Sequence, residues 1–423
     1  MYRTPMRPLF VLACVLLGAC AQAPEPQPVV EAPPPPPPPK VCANPNLETS
    51  PGGPMLSFST PVIQGQALTV AAVGDVLMHD PLQAFAAEQP DGFGALLARV
   101  TDLLQGADIT FANLEGAAAA NLYNTGREAP EPSTRYDGRV YSGYPMFNYH
   151  PSLVTDLKAA GVDVLLTANN HSLDRQPAGV DRTIEAIRAA GLAYTGTRHR
   201  DLMTAPWHTV TTASVGGQSY SVAWLGCTYG TNEIPDPYDQ VLFCFDDREE
   251  VLATIRQLAT DPAIDAVFLA PHWGREYRHD PTDRQRKLAV EALEAGATAV
   301  IGTHPHVLEP FERYLTSDGR ETLIAYSLGN FISGQSSLAR RSSAILLLAL
   351  MPNAAGKLSL ADVRFIPTHV SKEGAGHFVE AIDRSGRGAK SREHILKFLP
   401  AGNLHPPSTP YWTGAACAAP QTS

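Results

Sequence analysis

Two histidines one residue apart, His304 and His306, carry the strongest chemical signal in the sequence. They follow an apolar run at residues 297–301, which predicts a buried strand. A strand that ends in His-x-His places both imidazoles at its carboxyl end, where open α/β sheets bind their ligands. Imidazole nitrogens are common metal ligands, so the pair indicates a metal site.

Four other polar motifs stand in the same position, directly after an apolar run. They contain Asp75 in Gly-Asp, Glu115 in Asn-Leu-Glu, Asn170 and His171 in Asn-Asn-His, and His272 in His-Trp-Gly. One such motif alone is common as a turn, a helix cap or a structural histidine. Five in succession predict that carboxylate, amide and imidazole donors converge on one rim of a sheet, as in a site for a divalent cation.

Alternating strands and helices must position these donors. Strands that precede a motif are predicted at 68–73, 107–112, 162–168, 264–270 and 299–302. Helices are predicted at 93–104, 151–160, 179–190, 247–259 and 282–295. Further strands are predicted at 208–213, 220–226 and 323–328, with a hairpin at 343–351 and 357–367 and a last helix at 376–382 or 391–398. The pattern favours an α/β fold of two mixed sheets packed face to face and flanked by helices.

The segment 123–149 has no clear periodicity and is rich in Pro, Gly, Tyr and Arg. A loop of that length in a compact domain is usually functional, and this one follows Glu115, so we expect it to overhang the site. Guanidinium groups suit carboxylate and phosphate ligands. The arginines next to the motifs are Arg127, Arg135, Arg139, Arg175 and Arg275. We favour Arg275, with Glu276 and Tyr277, for substrate binding because they follow His272 closely.

Bulk properties exclude some classes of protein. The chain has 423 residues, of which 44% are hydrophobic and 17% are charged, values typical of globular proteins. Its formal net charge of −10 argues against a general nucleic-acid binder, which would carry a basic stripe. No internal repeat is evident.

Residues 1–20 read as a targeting segment. A positive start and an apolar run at 9–17 lead to Leu-Gly-Ala-Cys, which resembles the lipobox of bacterial lipoproteins. We expect lipidation at Cys20 and a Pro-rich tether over 21–54. Because Ala21 rather than Asp follows, an outer-membrane lipoprotein facing the periplasm is expected. A plain secretory signal with an incidental cysteine is the alternative.

Four cysteines remain for the folded part: Cys42, Cys227, Cys244 and Cys417. An even number in an exported chain indicates two disulfides, and three pairings are possible. We favour Cys227 with Cys244, which closes a short loop, and Cys42 with Cys417, which joins the two ends.

The motifs, in their order, resemble those of the bacterial capsule-synthesis CapA family, the poly-γ-glutamate biosynthesis proteins, which are similar to calcineurin-like metallophosphoesterases. Between residues 68 and 369 they read Gly-Asp, Asn-Leu-Glu, Ala-Asn-Asn-His-Ser-Leu-Asp, His-Trp-Gly-x-Glu-Tyr, Gly-x-His-Pro-His-Val and Ser-Leu-Gly-Asn-Phe. The resemblance implies a four-layer α-β-β-α sandwich. We place this domain at 55–385 and a C-terminal extension at 386–423.

The resemblance also implies roles for the motif residues. Asp75 and His306 would bind a first metal, Glu115 would bridge two metals, and His171 would be the general acid. Asn170, His272 and His304 would complete the second metal. Position 77 is Leu where the pattern has a histidine, so the first metal lacks one ligand unless His79 or Asp80 supplies it. One or two ions of manganese, iron or zinc are therefore expected.

Three functions are compatible with these features. The leading one is a lipid-anchored protein that acts on a γ-glutamyl capsule polymer or assists its export, with polymer ligase or export subunits as partners. The second is a periplasmic metal-dependent hydrolase, a phosphoesterase or an amide hydrolase, acting on envelope material. The third is a non-catalytic scaffold with a degenerate site.

Overall fold

The computed structural model describes residues 52–63 and 65–412. The predicted signal peptide with Cys20, all but the end of the predicted tether, and the proposed partners Cys42 and Cys417 lie outside the described residues. Among the described residues, none of the helices has the length and apolar character needed to cross a bilayer.

Strands and helices alternate through most of the described chain. The strands are β1 (Leu68–Leu77), β2 (Ile109–Leu114), β3 (Val164–Leu166), β4 (Ala193–Thr195), β5 (His208–Val215), β6 (Gln218–Thr228), β7 (Ala266–His272), β8 (Ala299–Ile301), β9 (Phe311–Leu315), β10 (Glu321–Ala325), β11 (Asn330–Ser333), β12 (Ser342–Pro352), β13 (Leu358–Glu373) and β14 (Gly376–Ala381). The α-helices are α1 (Asp80–Glu88), α2 (Gly94–Leu97), α3 (Thr101–Gln105), α4 (Ser152–Ala159), α5 (Gln176–Ala189), α6 (Arg248–Thr260), α7 (Asp283–Ala295), α8 (Ile382–Ser385) and α9 (Ala389–Ile395). Short 3-10 helices span Arg200–Leu202, Ala339–Arg341 and Ala401–Asn403.

The strands form two mixed sheets. The first has the order β14-β13-β12-β1-β2-β3-β4, with β11 also paired to β1, and the second has the order β5-β6-β7-β8-β10-β9. The strands β1 to β4 are parallel to one another, as are β6, β7, β8 and β10. The remaining pairs are antiparallel, except for β11 beside β1.

Three buried apolar clusters separate four layers. The central cluster joins the two sheets, and Phe111 of β2 stacks on Trp224 of β6 within it, with ring centroids 5.2 Å apart. A second cluster packs helices α1 to α4 on the outer face of the first sheet. A third packs α6 and α7 on the outer face of the second sheet. This is the α-β-β-α arrangement, so the predicted fold class is confirmed.

Strand β1 shows why the first sheet needs cover on both faces. All ten of its residues are buried. Because side chains alternate across a strand, Val70 and Ala72 point into the central cluster, whereas Ala71 and Val73 point toward the helices. A strand buried on both faces has no polar face, which explains its nearly continuous apolar sequence.

Most predicted elements are present, and two differ. The helix predicted at 93–104 is two short helices, α2 and α3, because Val100 between them leaves the helical conformation with φ −133° and ψ 0°. Residues 376–382, one of two alternatives for the last helix, instead form strand β14 on the edge of the first sheet. The other alternative overlaps helix α9.

Cys227 at the end of β6 is disulfide-bonded to Cys244, as the cysteine pattern favoured. Both residues are fully buried against Trp273 and helix α6 in the third cluster. The loop that they close leads from β6 toward α6 and contains Tyr229 and Asn232.

We expect the variant Cys227→Ala/Cys244→Ala to lose about 3 kcal/mol of unfolding free energy, because a cross-link over 17 residues restricts the unfolded chain. Urea denaturation followed by circular dichroism measures this loss. Adding a reductant should lower the midpoint of the wild type by more than it lowers that of the variant. Equal midpoints for the two oxidised proteins would contradict the expectation.

Candidate metal centre

The predicted donors meet where parallel strands of both sheets end. Asp75 lies near the end of β1, Glu115 follows β2, and Asn170 lies in the turn after β3. His272 ends β7 of the second sheet, and the His304-Pro-His306 turn follows β8. All six metal-ligand candidates and His171 are buried. The rim is therefore built from both halves of the sandwich.

Glu115 is the centre of this cluster. Its side chain is fully buried, and neither carboxylate oxygen has a hydrogen-bond partner within the described part of the chain. Oε1 lies 3.8 Å from Nε2 of His272 and 3.7 Å from Nε2 of His306. A buried carboxylate without donors is costly unless a cation compensates it, so this residue fits a metal ligand.

Two groups of donors share Glu115. One combines Glu115 with His304 and His306, and the other combines it with Asp75 and His272, with the donor atoms of each group within 4.8 Å of one another. Asn170 joins the second group, because its Oδ1 lies 2.8 Å from Nε2 of His272. Carboxylate, amide and imidazole donors together fit a divalent cation.

Neighbouring polar groups fix the orientation of the donors. Asn113 donates from Nδ2 to Oδ1 of Asp75 at 2.8 Å. Nδ1 of His306 lies 3.1 Å from Oδ2 of Asp75 and 3.0 Å from Oδ1 of Asn330. Since both neighbours are acceptors, Nδ1 is the donor, and Nε2 faces Glu115. Such outer contacts hold imidazole ligands in one orientation.

Burial and charge act in opposite directions on these groups. Burial raises the pKa of the Glu115 carboxyl and lowers the pKa of His272 and of His304, each well away from its usual range. Burial also lowers the pKa of His306, but the carboxylates of Glu115 and Asp75 outweigh it and raise that pKa to about 9. At neutral pH the carboxylates thus keep one positive charge beside them, which a cation would replace.

His171 stands beside the metal groups and has a carboxylate partner. Its Nδ1 lies 2.7 Å from Oδ2 of Asp174, which leaves Nε2 for a ligand. The ring packs edge-on against Phe147, with centroids 4.8 Å apart. Asp174 also accepts from the backbone N–H of Phe147 at 2.6 Å. An imidazole held in this way can donate or accept a proton at Nε2.

The backbone is strained where the site is built. His304 and His306 have backbone φ values of 99° and 58°, which residues other than glycine rarely adopt. A Cβ on Gly302 would lie 2.0 Å from the carbonyl oxygen of Tyr326, so only glycine fits there. The surrounding structure, and not the intrinsic backbone preference of these residues, therefore keeps the turn in this conformation.

The remaining predicted residues divide into two sets. The Tyr277 ring lies 6.0 Å from the His306 ring, and Glu276 acts electrostatically on His306, so both belong at the mouth of the site. Arg275 lines a different cavity, with Arg278 and Asp280.

His79 and Asp80 follow Leu77, which stands where the resemblance implies a histidine. Neither belongs to the two donor groups found among the described residues. His79 instead packs edge-on against Phe147, and Oδ1 of Asp80 accepts from the backbone N–H of Gly143 at 2.6 Å.

The loop between β2 and α4, residues 115–151, is attached to the site as expected. The Tyr149 hydroxyl donates to the carbonyl oxygen of Glu115. Arg175 is fully buried and donates to the carbonyl oxygens of Val140 and Met146 and to Oγ of Ser142. Arg175 therefore holds this loop against the turn that carries His171.

Several residues of the site had no clear signal in the sequence. Tyr229 packs over His304 with ring centroids 4.4 Å apart, and Nδ2 of Asn170 donates to Oδ1 of Asn232 at 3.1 Å. The Arg340 guanidinium lies 3.5 Å from the Tyr277 ring centroid. Asn113 belongs to the Asn-Leu-Glu motif and Asn330 to the Ser-Leu-Gly-Asn-Phe motif, so these motifs could have identified both residues.

Fold and site together define an α-β-β-α sandwich protein whose buried donor set fits divalent cations. Residues 69–335 match the family described as bacterial capsule synthesis protein PGA_cap. The match covers well over half of the chain, so the chain belongs to this family.

The chain is also similar to several individual proteins. The chain is 27% identical to the capsule biosynthesis protein CapA of Bacillus anthracis, covering 76% of this chain and 72% of that protein. It is 28% identical to the PGA biosynthesis protein CapA of Bacillus subtilis strain 168, covering 70% and 71%. Among solved structures, the sulfate thiohydrolase SoxB of Thermus thermophilus aligns with a TM-score of 0.38 and 15% identity, over 80% of this chain and 60% of that one.

We expect the affinity for Mn²⁺ to rise between pH 6 and pH 9. The pKa of His306 is raised to about 9, so its proton competes with a cation below that pH. If one proton is released for each bound ion, the affinity increases about tenfold for each pH unit below 9. Competition titration with a fluorescent chelator measures this slope, and an affinity independent of pH would contradict it.

Proposed function

We propose that this chain is a metal-dependent protein of capsule synthesis that acts on an anionic γ-glutamyl polymer at the cell surface. The observation that carries the proposal is the Glu115 carboxylate, buried without hydrogen-bond donors and shared by two donor groups, in a member of a capsule-synthesis family. The name of the Bacillus subtilis relative, PGA biosynthesis protein CapA, supports the choice of polymer.

The protein's own groups would divide the work. Asp75, Glu115, Asn170, His272, His304 and His306 would hold one or two divalent cations, of manganese, iron or zinc. A divalent cation at such a site activates water and stabilises negative charge that develops on a substrate. His171 would exchange a proton with the leaving group through Nε2, while Asp174 keeps the ring in place.

One observation favours a hydrolase as the second candidate. The His171–Asp174 pair gives the site a positioned acid or base, which a scaffold would not need. Cleavage of an amide or a phosphoester in envelope material would use the same groups. The absence of a histidine at position 77 favours a single ion over two.

The lipid anchor belongs to the same proposal. The Leu-Gly-Ala-Cys sequence ending at Cys20 and the following Pro-rich tether support an exported lipoprotein facing the periplasm. Polymer ligase or export subunits would be its partners there. Radiolabelled palmitate should enter the wild type and not a Cys20→Ser variant.

Metal content tests the site directly. We expect one to two equivalents of a divalent metal in the wild type and a loss of at least half of it in His304→Ala/His306→Ala. The group of Glu115, His304 and His306 keeps only its carboxylate in this variant, whereas the group of Asp75, Glu115 and His272 keeps its donors. Elemental analysis of the purified proteins measures it. His208→Ala, which removes a half-buried histidine from β5, is the matched control and should keep its metal.

Complementation tests the role in the cell. In a strain lacking the gene, the wild type and His208→Ala should restore surface polymer, whereas His304→Ala/His306→Ala should not. The amount of polymer released from washed cells measures this. An unchanged envelope in the deletion strain would refute the capsule role, and full rescue by the double variant would refute the need for metal.

A further inference from the structure

The loop between β2 and α4 encloses a cavity of about 770 Å³ that the metal centre does not use. This volume suits a small or oligomeric ligand. The cavity is lined by this loop together with Asp80 and Arg175. It is open to solvent on one side, since Tyr144 at its edge is 73% exposed.

Three arginines line the cavity and make it positively charged: Arg127, Arg139 and Arg175. Among residues 52–63 and 65–412, no carboxylate forms an ion pair with the guanidinium of Arg127 or of Arg139. The Arg139 guanidinium only lies over the Tyr123 ring, 5.9 Å from its centroid. Arg175 is fully buried, and its Nε has no hydrogen-bond partner. The guanidinium groups of Arg127 and Arg139, which have no carboxylate partner, therefore favour an anionic ligand in this cavity.

The two acids that line the cavity are already engaged. Oδ1 of Asp80 accepts from the backbone N–H of Gly143, and the Tyr136 hydroxyl also bonds to this carboxylate. Glu128 pairs with Arg182 at 2.5 Å. Neither acid therefore neutralises Arg127 or Arg139.

The cavity adjoins the metal centre through two short segments. Arg175 follows Asp174, the partner of His171. Met146 lines the cavity and precedes Phe147, whose ring packs on both His171 and His79. A chain bound in the cavity would thus lie next to the proton-transfer side of the site.

We propose that this cavity binds carboxylate groups of an acidic polymer and feeds the polymer to the metal centre. Arg127 and Arg139 form charge-assisted bonds to the carboxylates, and the rings of Tyr123, Tyr136 and Tyr144 pack on the intervening methylene groups. The choice of polymer rests on the proposed function. The anion preference rests on the arginines alone, and a phosphate chain shares that chemistry.

Binding of two probes to the full-length protein tests the assignment. Isothermal titration calorimetry would compare a short γ-linked glutamate oligomer with inorganic polyphosphate of similar charge. We expect Arg127→Gln/Arg139→Gln to bind the oligomer about tenfold or more weakly, while its melting temperature and metal content match the wild type. Arg127→Lys/Arg139→Lys should recover part of the affinity, because it keeps the charge but loses the planar fork.

The matched control is Arg256→Gln/Lys287→Gln, which removes the same charge from exposed positions on α6 and α7 and should bind as the wild type does. Equal oligomer affinity in the arginine variant, or an effect on polyphosphate alone, would overturn the assignment. If the wild type bound the oligomer through Arg127 and Arg139 but took up no divalent metal from excess Mn²⁺, the metal-dependent function would be overturned and the cavity's role would stand.

Discussion

The buried carboxylate of Glu115 is the constraint around which the site is organised. It lies at the end of β2, out of water and without a hydrogen-bond donor, and a charge in that position must be compensated. The histidines that approach it come from the second sheet, whereas Glu115 and Asp75 come from the first. The electrostatic requirement of one residue therefore bears on how the two sheets are held together.

The architecture meets that requirement through local features that are costly by themselves. Gly74 lets β1 approach Gly329 so closely that a Cβ would lie 1.8 Å from its carbonyl oxygen, and the register of β1 against β2 shifts at that point. This irregularity directs Asp75 toward His306. The strained backbone at His304 and His306 is a second such feature. Both are tolerated because the surrounding layers are tightly packed.

Much of the fold and the rim of donors could be predicted from the sequence, because apolar runs mark strands and parallel strands bring their carboxyl ends together. Glu115 and His272 were found in this way. The contacts that orient the donors could not be predicted. The hydrogen bond from Asn113 to Asp75, for example, depends on side-chain directions across two strands. Strand β14 could be mistaken for a helix, because six residues are too few to distinguish the periodicity of a helix from that of a strand. Arg175 was one of five arginines next to the motifs, and only the packed structure reveals its bonds to the adjacent loop.

Because the centre is assembled from two sheets, the stability of the folded protein would depend on whether the metal is bound. Any ion that binds the folded chain and not the unfolded one adds its binding free energy to stability, at about 1.4 kcal/mol for each tenfold excess over the dissociation constant. A cell short of the metal would hold more molecules in open forms that proteases degrade. The abundance of the protein would then follow the supply of the ion, and no dedicated sensor would be needed.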